Sequence, residues 1–147
     1  MAYEFKIVRR VEFSDTDMAG IVHYSNFFKY METAEHAFFR SLGFSIVTRQ
    51  ADPPVGWPRV QAECQYRRPL QFEDEVEVHM LVAKKKSKAL TYQFRFRKLN
   101  AEEPYEVARG SLTVVCVRHQ KGQMKATKIP PLIADKIKVA PRRLLKH

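Results

Sequence analysis

Cysteine is scarce. Cys64 and Cys116 are the two in 147 residues, and they lie far apart in strand-like segments. That excludes a disulfide framework and reads as reduced, packed thiols, since a bridge would need those two strands to be neighbours. Long apolar runs are missing too: nothing approaches the roughly 20 residues that span a bilayer. The start MAYEFKIVRR has neither the apolar stretch nor the small-residue cleavage site of a signal peptide, so a cytoplasmic location is expected. The five histidines (His23, His36, His79, His119, His147) and two cysteines form no HExxH or CxxC spacing, and no metal is expected. GxSxG, GxxxxGKS and GxGxxG are all absent, so a serine hydrolase, an NTPase and a nicotinamide enzyme each lack their starting motif. No resident cofactor is expected.

What is present describes one globular domain over residues 1–147, 45% apolar and 29% charged. A chain of this length buries enough surface to fold without disulfide or metal staples. Its formal charge of +10 is unevenly placed. Residues 1–83 carry nine Lys/Arg against twelve Asp/Glu, and residues 84–147 carry seventeen against four. Nucleic acid, a membrane surface, an acidic carrier protein or a polyphosphate cofactor would each be drawn to the second half.

Alternation of Tyr3, Phe5 and Ile7 with polar residues predicts a first strand over 2–13. After the turn-like run Ser14-Asp15-Thr16-Asp17-Met18-Ala19-Gly20, the period changes. Phe27, Met31, Ala34, Phe38 and Leu42 fall on one helical arc, Lys29, Glu32, Thr33, His36 and Arg40 on the other, and Gly43 is placed as the stop. Counting Phe28, Tyr30, Ala37 and Phe39, apolar residues cover over half the circumference, which calls for a wrapped helix. Past the breaker Asp52-Pro53-Pro54-Val55-Gly56-Trp57-Pro58, four strands are predicted at about 59–68, 74–84, 88–99 and 106–119. Hairpins at Lys86-Ser87 and at 100–104 would make them an antiparallel meander. The expected fold is α+β, an antiparallel sheet of about five strands around one long central helix. A short helix after Pro130-Pro131 and loose basic residues from about 139 would complete the chain.

The densest chemical signal is Asp15 to Phe28, where a carboxylate, a glycine turn and a helix start lie within a dozen residues. Unpaired N–H groups and the positive end of the helix dipole polarise a carbonyl oxygen placed there. The Tyr24 backbone N–H is the candidate donor. Asp17 could attack the polarised carbonyl or activate water for the attack, and both routes give acyl hydrolysis without a metal.

Asp17-Met18-Ala19-Gly20-Ile21-Val22-His23-Tyr24, preceded by Arg10-Val11-Glu12-Phe13 and followed by Asn26-Phe27, closely resembles the signature of the 4-hydroxybenzoyl-CoA thioesterase family. The resemblance in element order runs to about Arg118. It implies the hotdog fold, homodimers or dimers of dimers with active sites at the subunit interface, and acyl-CoA or acyl carrier protein thioesters as substrates. It places the catalytic carboxylate on Asp17 and the oxyanion contact on the backbone of Tyr24. Many members have His seven residues after that Asp; this chain has Tyr24, as in members acting on aromatic acyl groups, with His23 one residue earlier.

Around that core, Gly20 and His23 are candidate substrate contacts, although a hydrogen-bonded turn histidine explains His23 equally well. Asp15 reads as a structural turn residue, and Glu35 as a helix-edge residue reaching water or a partner subunit. Lys84, Lys85, Lys86, Ser87 and Lys88 form a basic hairpin tip suited to the phosphates of CoA or an acidic carrier, or else to a solvated turn that protects an edge. Two rival functions stand beside the thioesterase. One is an enoyl-thioester dehydratase or hydratase of the same fold, using His23 with Asp17. The other is a basic nucleic-acid-binding module stacking bases on Tyr92, Phe94 and Phe96, which their shared apolar face argues against.

Overall fold

The structure, a computed structural model, describes residues 1–146; His147 lies outside the described residues. In chain order the elements are β1 (Glu4–Arg10), a 3-10 turn (Phe13–Asp15), α1 (Asn26–Ser41), β2 (Val55–Gly56), β3 (Arg59–Tyr66), β4 (Glu75–Lys85), β5 (Ala89–Lys98), β6 (Tyr105–Val115), β7 (Val117–Gln120), β8 (Gln123–Ala126), α2 (Pro131–Ala134) and α3 (Arg142–Leu145). Five strands form an antiparallel sheet in the order β1-β4-β5-β6-β3, and a small second sheet has the order β2-β7-β8.

Two details depart from the meander read in the sequence. β3 does not pair with its sequence neighbour β4; it crosses to the far edge and pairs with β6, placing Tyr66 opposite Ala108. The expected strand over 106–119 is broken at Cys116, whose N–H donates to Lys88 O and whose carbonyl accepts from Thr127 N–H. Beyond that break the chain leaves the large sheet and builds the small one.

Alternation does set the faces. Val76, Val78, Met80 and Val82 of β4 and Leu90, Tyr92, Phe94 and Phe96 of β5 are at most 1% exposed. Tyr92, Phe94 and Phe96 therefore face the core and are not available to stack on bases. Against that inner face α1 buries Phe27, Tyr30, Met31, Ala34, Phe38 and Phe39. The helix stops where Gly43 takes φ +93: Phe44 N–H donates to Phe39 O and Gly43 N–H to Arg40 O, both at 3.0 Å, which satisfies two terminal carbonyls in a Schellman arrangement.

Helix and sheet pack tightly at Gly110 on β6. A Cβ there would sit 2.0 Å from Met31 Cε and 3.2 Å from the Glu63 carbonyl. Met31 is fully buried and has little room to retreat, so Gly110→Val is expected to cost about 1–3 kcal/mol by overpacking. Urea unfolding of the purified variant measures it.

The strand β1 and the loop after β3 are joined at Asp74. Its Oδ2 accepts from Gln71 N–H at 2.8 Å and its Oδ1 from Asn100 Nδ2 at 3.1 Å, with Lys98 Nζ at 3.4 Å and Val11 N–H on its carbonyl. Burial works to raise this carboxyl, but the Gln71 N–H, the Asn100 amide and the Lys98 ammonium together hold it below its ordinary 3.8. A depressed folded-state value means the stabilisation is complete above the unfolded value and is lost as pH falls through the folded one. Native stability should therefore drop below about pH 4, and less steeply in Asp74→Asn; denaturant midpoints measured from pH 6 to pH 2 give both slopes.

The tail is docked rather than loose. Ala140 N–H donates to Val82 O, and Arg95 Nη2 on the outer face of β5 donates to the carbonyls of Leu144 and Lys146. Among the described residues no helix is long and apolar enough to cross a membrane.

Candidate active site

The chain between the 3-10 turn and α1 folds back on itself through a Thr16–Val22 bridge. Gly20 at φ +81 allows the reversal, with Asp17 N–H donating to Ile21 O and Gly20 N–H to Asp17 O, both at 2.9 Å. A second anchor holds this loop to the β3–β4 connection, where Ile21 bridges Gln71 and Val22 N–H donates to Leu70 O. A third comes from the helix. Asn26 Nδ2 donates to Asp15 O at 2.7 Å and Tyr30 Oη to Asp15 Oδ2 at 3.0 Å. Burial, then this hydrogen bond, raises the Tyr30 phenol well above its ordinary value, so it stays a donor. Asp15 is thus the structural carboxylate of the turn. Asn26 and Tyr30, to which sequence reasoning gave no role at the site, lock it to the helix.

That leaves Asp17 exposed at the rim of a groove of about 550 Å³. Its Oδ1 accepts from Ala19 N–H at 2.8 Å; Oδ2 has no protein partner among the described residues. Tyr24 lines the same groove, two residues before α1. Neighbouring N–H groups are committed, His23 to Asp15 O and Asn26 to His23 O. Among the described residues the Tyr24 N–H meets no backbone acceptor. Asp17 and Tyr24 therefore border one groove near the positive end of a 16-residue helix.

The remaining walls are apolar and aromatic, from Ile21, Val22, Phe27, Tyr66, Pro69 and Leu70. Tyr66 on the edge strand β3 packs edge-on against Phe27 at 5.2 Å and Tyr24 at 6.5 Å, and its hydroxyl donates to Tyr24 O at 2.9 Å. Burial, then the neighbouring Cys64 thiol, pushes the Tyr66 phenol up to about 12. Arg67 and Arg68 supply positive charge at the rim; Arg67 pairs with Glu106 at 3.1 Å, and the Arg68 guanidinium lies 3.9 Å above the Tyr105 ring. Sequence reasoning gave no role to Tyr66, Arg67 or Arg68. They enter the groove because β3 crosses to the far edge, which local periodicity does not encode.

Other candidates fall elsewhere. His23 Nδ1 faces Ser25 Oγ at 2.7 Å and accepts from Ser25 N–H at 3.3 Å, while its ring stacks on Tyr24 at 4.4 Å. Neither it nor Gly20 lines the groove; both shape the turn. The pairing of Tyr66 with Ala108, Phe96 and Val78 sets the groove seven β4 residues from Lys85, about 23 Å along the strand. Within one chain the hairpin of Lys84, Lys86, Ser87 and Lys88 is thus at the opposite end of the sheet. Lys85 is engaged there with the carbonyls of Ala134, the last residue of α2, and Ile137 beyond it, at 2.7 and 2.8 Å. Glu35 does not reach water. It is 0% exposed, because Arg59 at the start of β3 reaches it with Nη2–Oε1 at 2.5 Å and Nη1–Oε2 at 3.4 Å. Among the described residues no three His, Cys, Asp or Glu side chains converge as metal ligands.

An antiparallel five-stranded sheet with a small second sheet and a 16-residue helix packed against it is the architecture of the hotdog-fold thioesterases. The family model of the thioesterase-like superfamily matches residues 11–137, and the chain belongs to that superfamily. An inferred esterase of Aquifex aeolicus is 34% identical over 113 residues, 77% of this chain and 84% of that protein. A solved gentisyl-coenzyme A thioesterase is 32% identical with a TM-score of 0.75, covering 88% of this chain and 99% of the other. The 4-hydroxybenzoyl-CoA thioesterase of Pseudomonas sp. strain CBS-3, at 20% identity, shares the fold with a TM-score of 0.79, covering 90% and 99%.

Proposed function

We propose that this chain hydrolyses acyl-CoA thioesters whose acyl group is aromatic, in the groove between Asp17 and Tyr24. The carrying observation is that the exposed Asp17 and Tyr24, whose N–H meets no backbone acceptor among the described residues, line one cavity. With the thioester carbonyl oxygen on the Tyr24 N–H, the carbonyl carbon gains positive character and the tetrahedral oxyanion is stabilised by a fixed donor and the helix dipole. Asp17 then attacks that carbon directly, giving a mixed anhydride that water cleaves, or takes a proton from the attacking water. In either route the C–S bond breaks, CoA leaves as thiolate and the acid is freed. The wall of Phe27, Tyr24 and Tyr66 supports an aryl acyl group through edge-to-face contact, as does the gentisyl-CoA relative. His23, held by Ser25, is poorly free to serve a dehydratase.

The sheet curling about α1, with β3 as an exposed edge, supports a homodimer or homotetramer in which two β3 strands pair. The hairpin lysines Lys84, Lys86 and Lys88 then suit the phosphates of CoA delivered across the interface. Two free thiols, Cys64 and Cys116, fit a reducing cytoplasm. Thiol release from a panel of benzoyl-, hydroxybenzoyl-, hexanoyl- and palmitoyl-CoA tests the reading. Faster release from the aryl members is expected, and release from the aliphatic members alone would overturn the aryl assignment.

A further inference from the structure

Tyr24 lies in the turn ahead of α1 and is 64% exposed. Its N–H can stabilise an oxyanion only if the two peptide planes flanking its Cα keep one orientation, because a donor that must turn toward the oxygen loses the advantage of being preorganised. The plane before it, His23–Tyr24, is held through the His23 carbonyl, which accepts from Asn26 N–H at 2.9 Å. The plane after it, Tyr24–Ser25, is held through the Tyr24 carbonyl, which accepts from the Tyr66 hydroxyl at 2.9 Å. Its other end is held more loosely, since Ser25 N–H reaches His23 Nδ1 at 3.3 Å. Among the described residues, the other hydrogen bonds of His23, Tyr24 and Ser25 come from the turn itself or the start of α1. Tyr66 reaches them from the sheet, 42 residues away in sequence.

The base of the Tyr66 side chain is itself fixed. Tyr66 ends β3 opposite Ala108 of β6, and the next two N–H groups, of Arg67 and Arg68, both donate to Val107 O, at 2.9 and 3.1 Å. The ring is set edge-on against Phe27 at 5.2 Å and Tyr24 at 6.5 Å. With its phenol pushed up to about 12, the hydroxyl keeps its proton at neutral pH and stays a donor. A turn is the most mobile kind of backbone and a paired strand the least, so this contact transfers the rigidity of the sheet to the Tyr24 peptide.

We propose that Tyr66 is a positioning residue for thioester hydrolysis: its hydroxyl, carried on β3, fixes the Tyr24 peptide so that the Tyr24 N–H meets the thioester carbonyl, and it acts through Tyr24 rather than on the reacting atoms. The inference rests on the thioesterase reading above.

The test compares native protein with Tyr66→Phe, Tyr66→Leu and, as a control for loss of one phenol hydroxyl, Tyr3→Phe, which lies beside Val82 of β4 and outside the groove. Thiol release from benzoyl-CoA gives kcat and KM, and circular dichroism checks folding. Tyr66→Phe keeps the ring and removes the hydroxyl, so kcat should fall about tenfold with KM within about twofold of native, the pattern of an interaction made only in the transition state. Tyr66→Leu loses the aromatic wall as well and should show the same fall in kcat with a raised KM. A second readout does not depend on turnover. The carbonyl stretch of a bound benzoyl-CoA analogue, with methylene in place of sulfur and ¹³C at the ketone, should be lowered by native protein and return toward its free-solution frequency in Tyr66→Phe, with Tyr3→Phe like native. Unchanged kcat in a folded Tyr66→Phe, a loss confined to KM, an unmoved carbonyl band, or an equal loss in Tyr3→Phe would each overturn this proposal while leaving the thioesterase reading in place. No thiol release from native protein with any acyl-CoA would overturn that reading, and this proposal with it.

Discussion

Asp17→Asn is expected to lower kcat for acyl-CoA hydrolysis by about 10²- to 10⁴-fold, the usual loss on removing a positioned carboxylate base. Asparagine is the informative replacement. Its side-chain oxygen still accepts the Ala19 N–H that Asp17 Oδ1 accepts at 2.8 Å, so the turn is retained while the negative charge and the nucleophilic oxygen are removed together. The Tyr24 N–H, held by the Asp15, Asn26 and His23 contacts, is untouched, so substrate binding should change far less than turnover. Thiol release with a saturating aryl-CoA, alongside circular dichroism, separates loss of chemistry from loss of fold. A variant that is folded and still turns over at the native rate would remove Asp17 from the reaction.

The largest structural effect is expected at Glu35→Ala, about 3–5 kcal/mol of destabilisation. Glu35 is completely buried, and its carboxylate is paired with Arg59 through two contacts. Burial raises this carboxyl above its ordinary value, against the pull of the Arg59 guanidinium. Removing it strands Arg59 with the Trp57 carbonyl at 2.9 Å and a distant Glu32 at 3.8 Å. It also leaves space beside Tyr92, whose hydroxyl is buried without a hydrogen bond of normal geometry and whose phenol is raised well above 10, by burial first and then by the Glu35 charge. Glu35→Gln keeps the volume and should lose less. Denaturant unfolding of the three proteins measures the order; a Glu35→Ala loss below about 1 kcal/mol, the range of exposed ion pairs, would show that the pair contributes no more than one on the surface.

What could be read in the sequence was whatever a local period or a local motif encodes. The arc of Phe27, Met31, Ala34 and Phe38 gave the helix and its buried face, Gly43 its stop, and alternation the inner faces of β4 and β5. The Asp17 to Tyr24 motif pointed to the loop where the groove lies. Partner choice over long distances was not legible. Nothing in residues 59–66 says that β3 pairs with β6 rather than β4, and from that pairing follow the entry of Tyr66 into the groove and the reach of Arg59 to Glu35. Glu35 has the helical position of an edge residue. Only a cation arriving from β3 makes its complete burial tolerable. The small sheet was equally hidden, because β2, β7 and β8 are two to four residues long, too short for a period to register.

The central claim is that one carbonyl is held by the Tyr24 N–H and faced by Asp17. A crystal structure with a benzoyl-CoA analogue in which the thioester sulfur is replaced by methylene tests this directly, since the carbonyl persists and the bond is not cleaved. The ketone oxygen should lie about 2.7–3.1 Å from Tyr24 N, with an Asp17 oxygen about 3–3.5 Å from the carbonyl carbon and the ring against Phe27 and Tyr66. An analogue bound outside that groove, or with its oxygen turned away from Tyr24 N, would contradict the account.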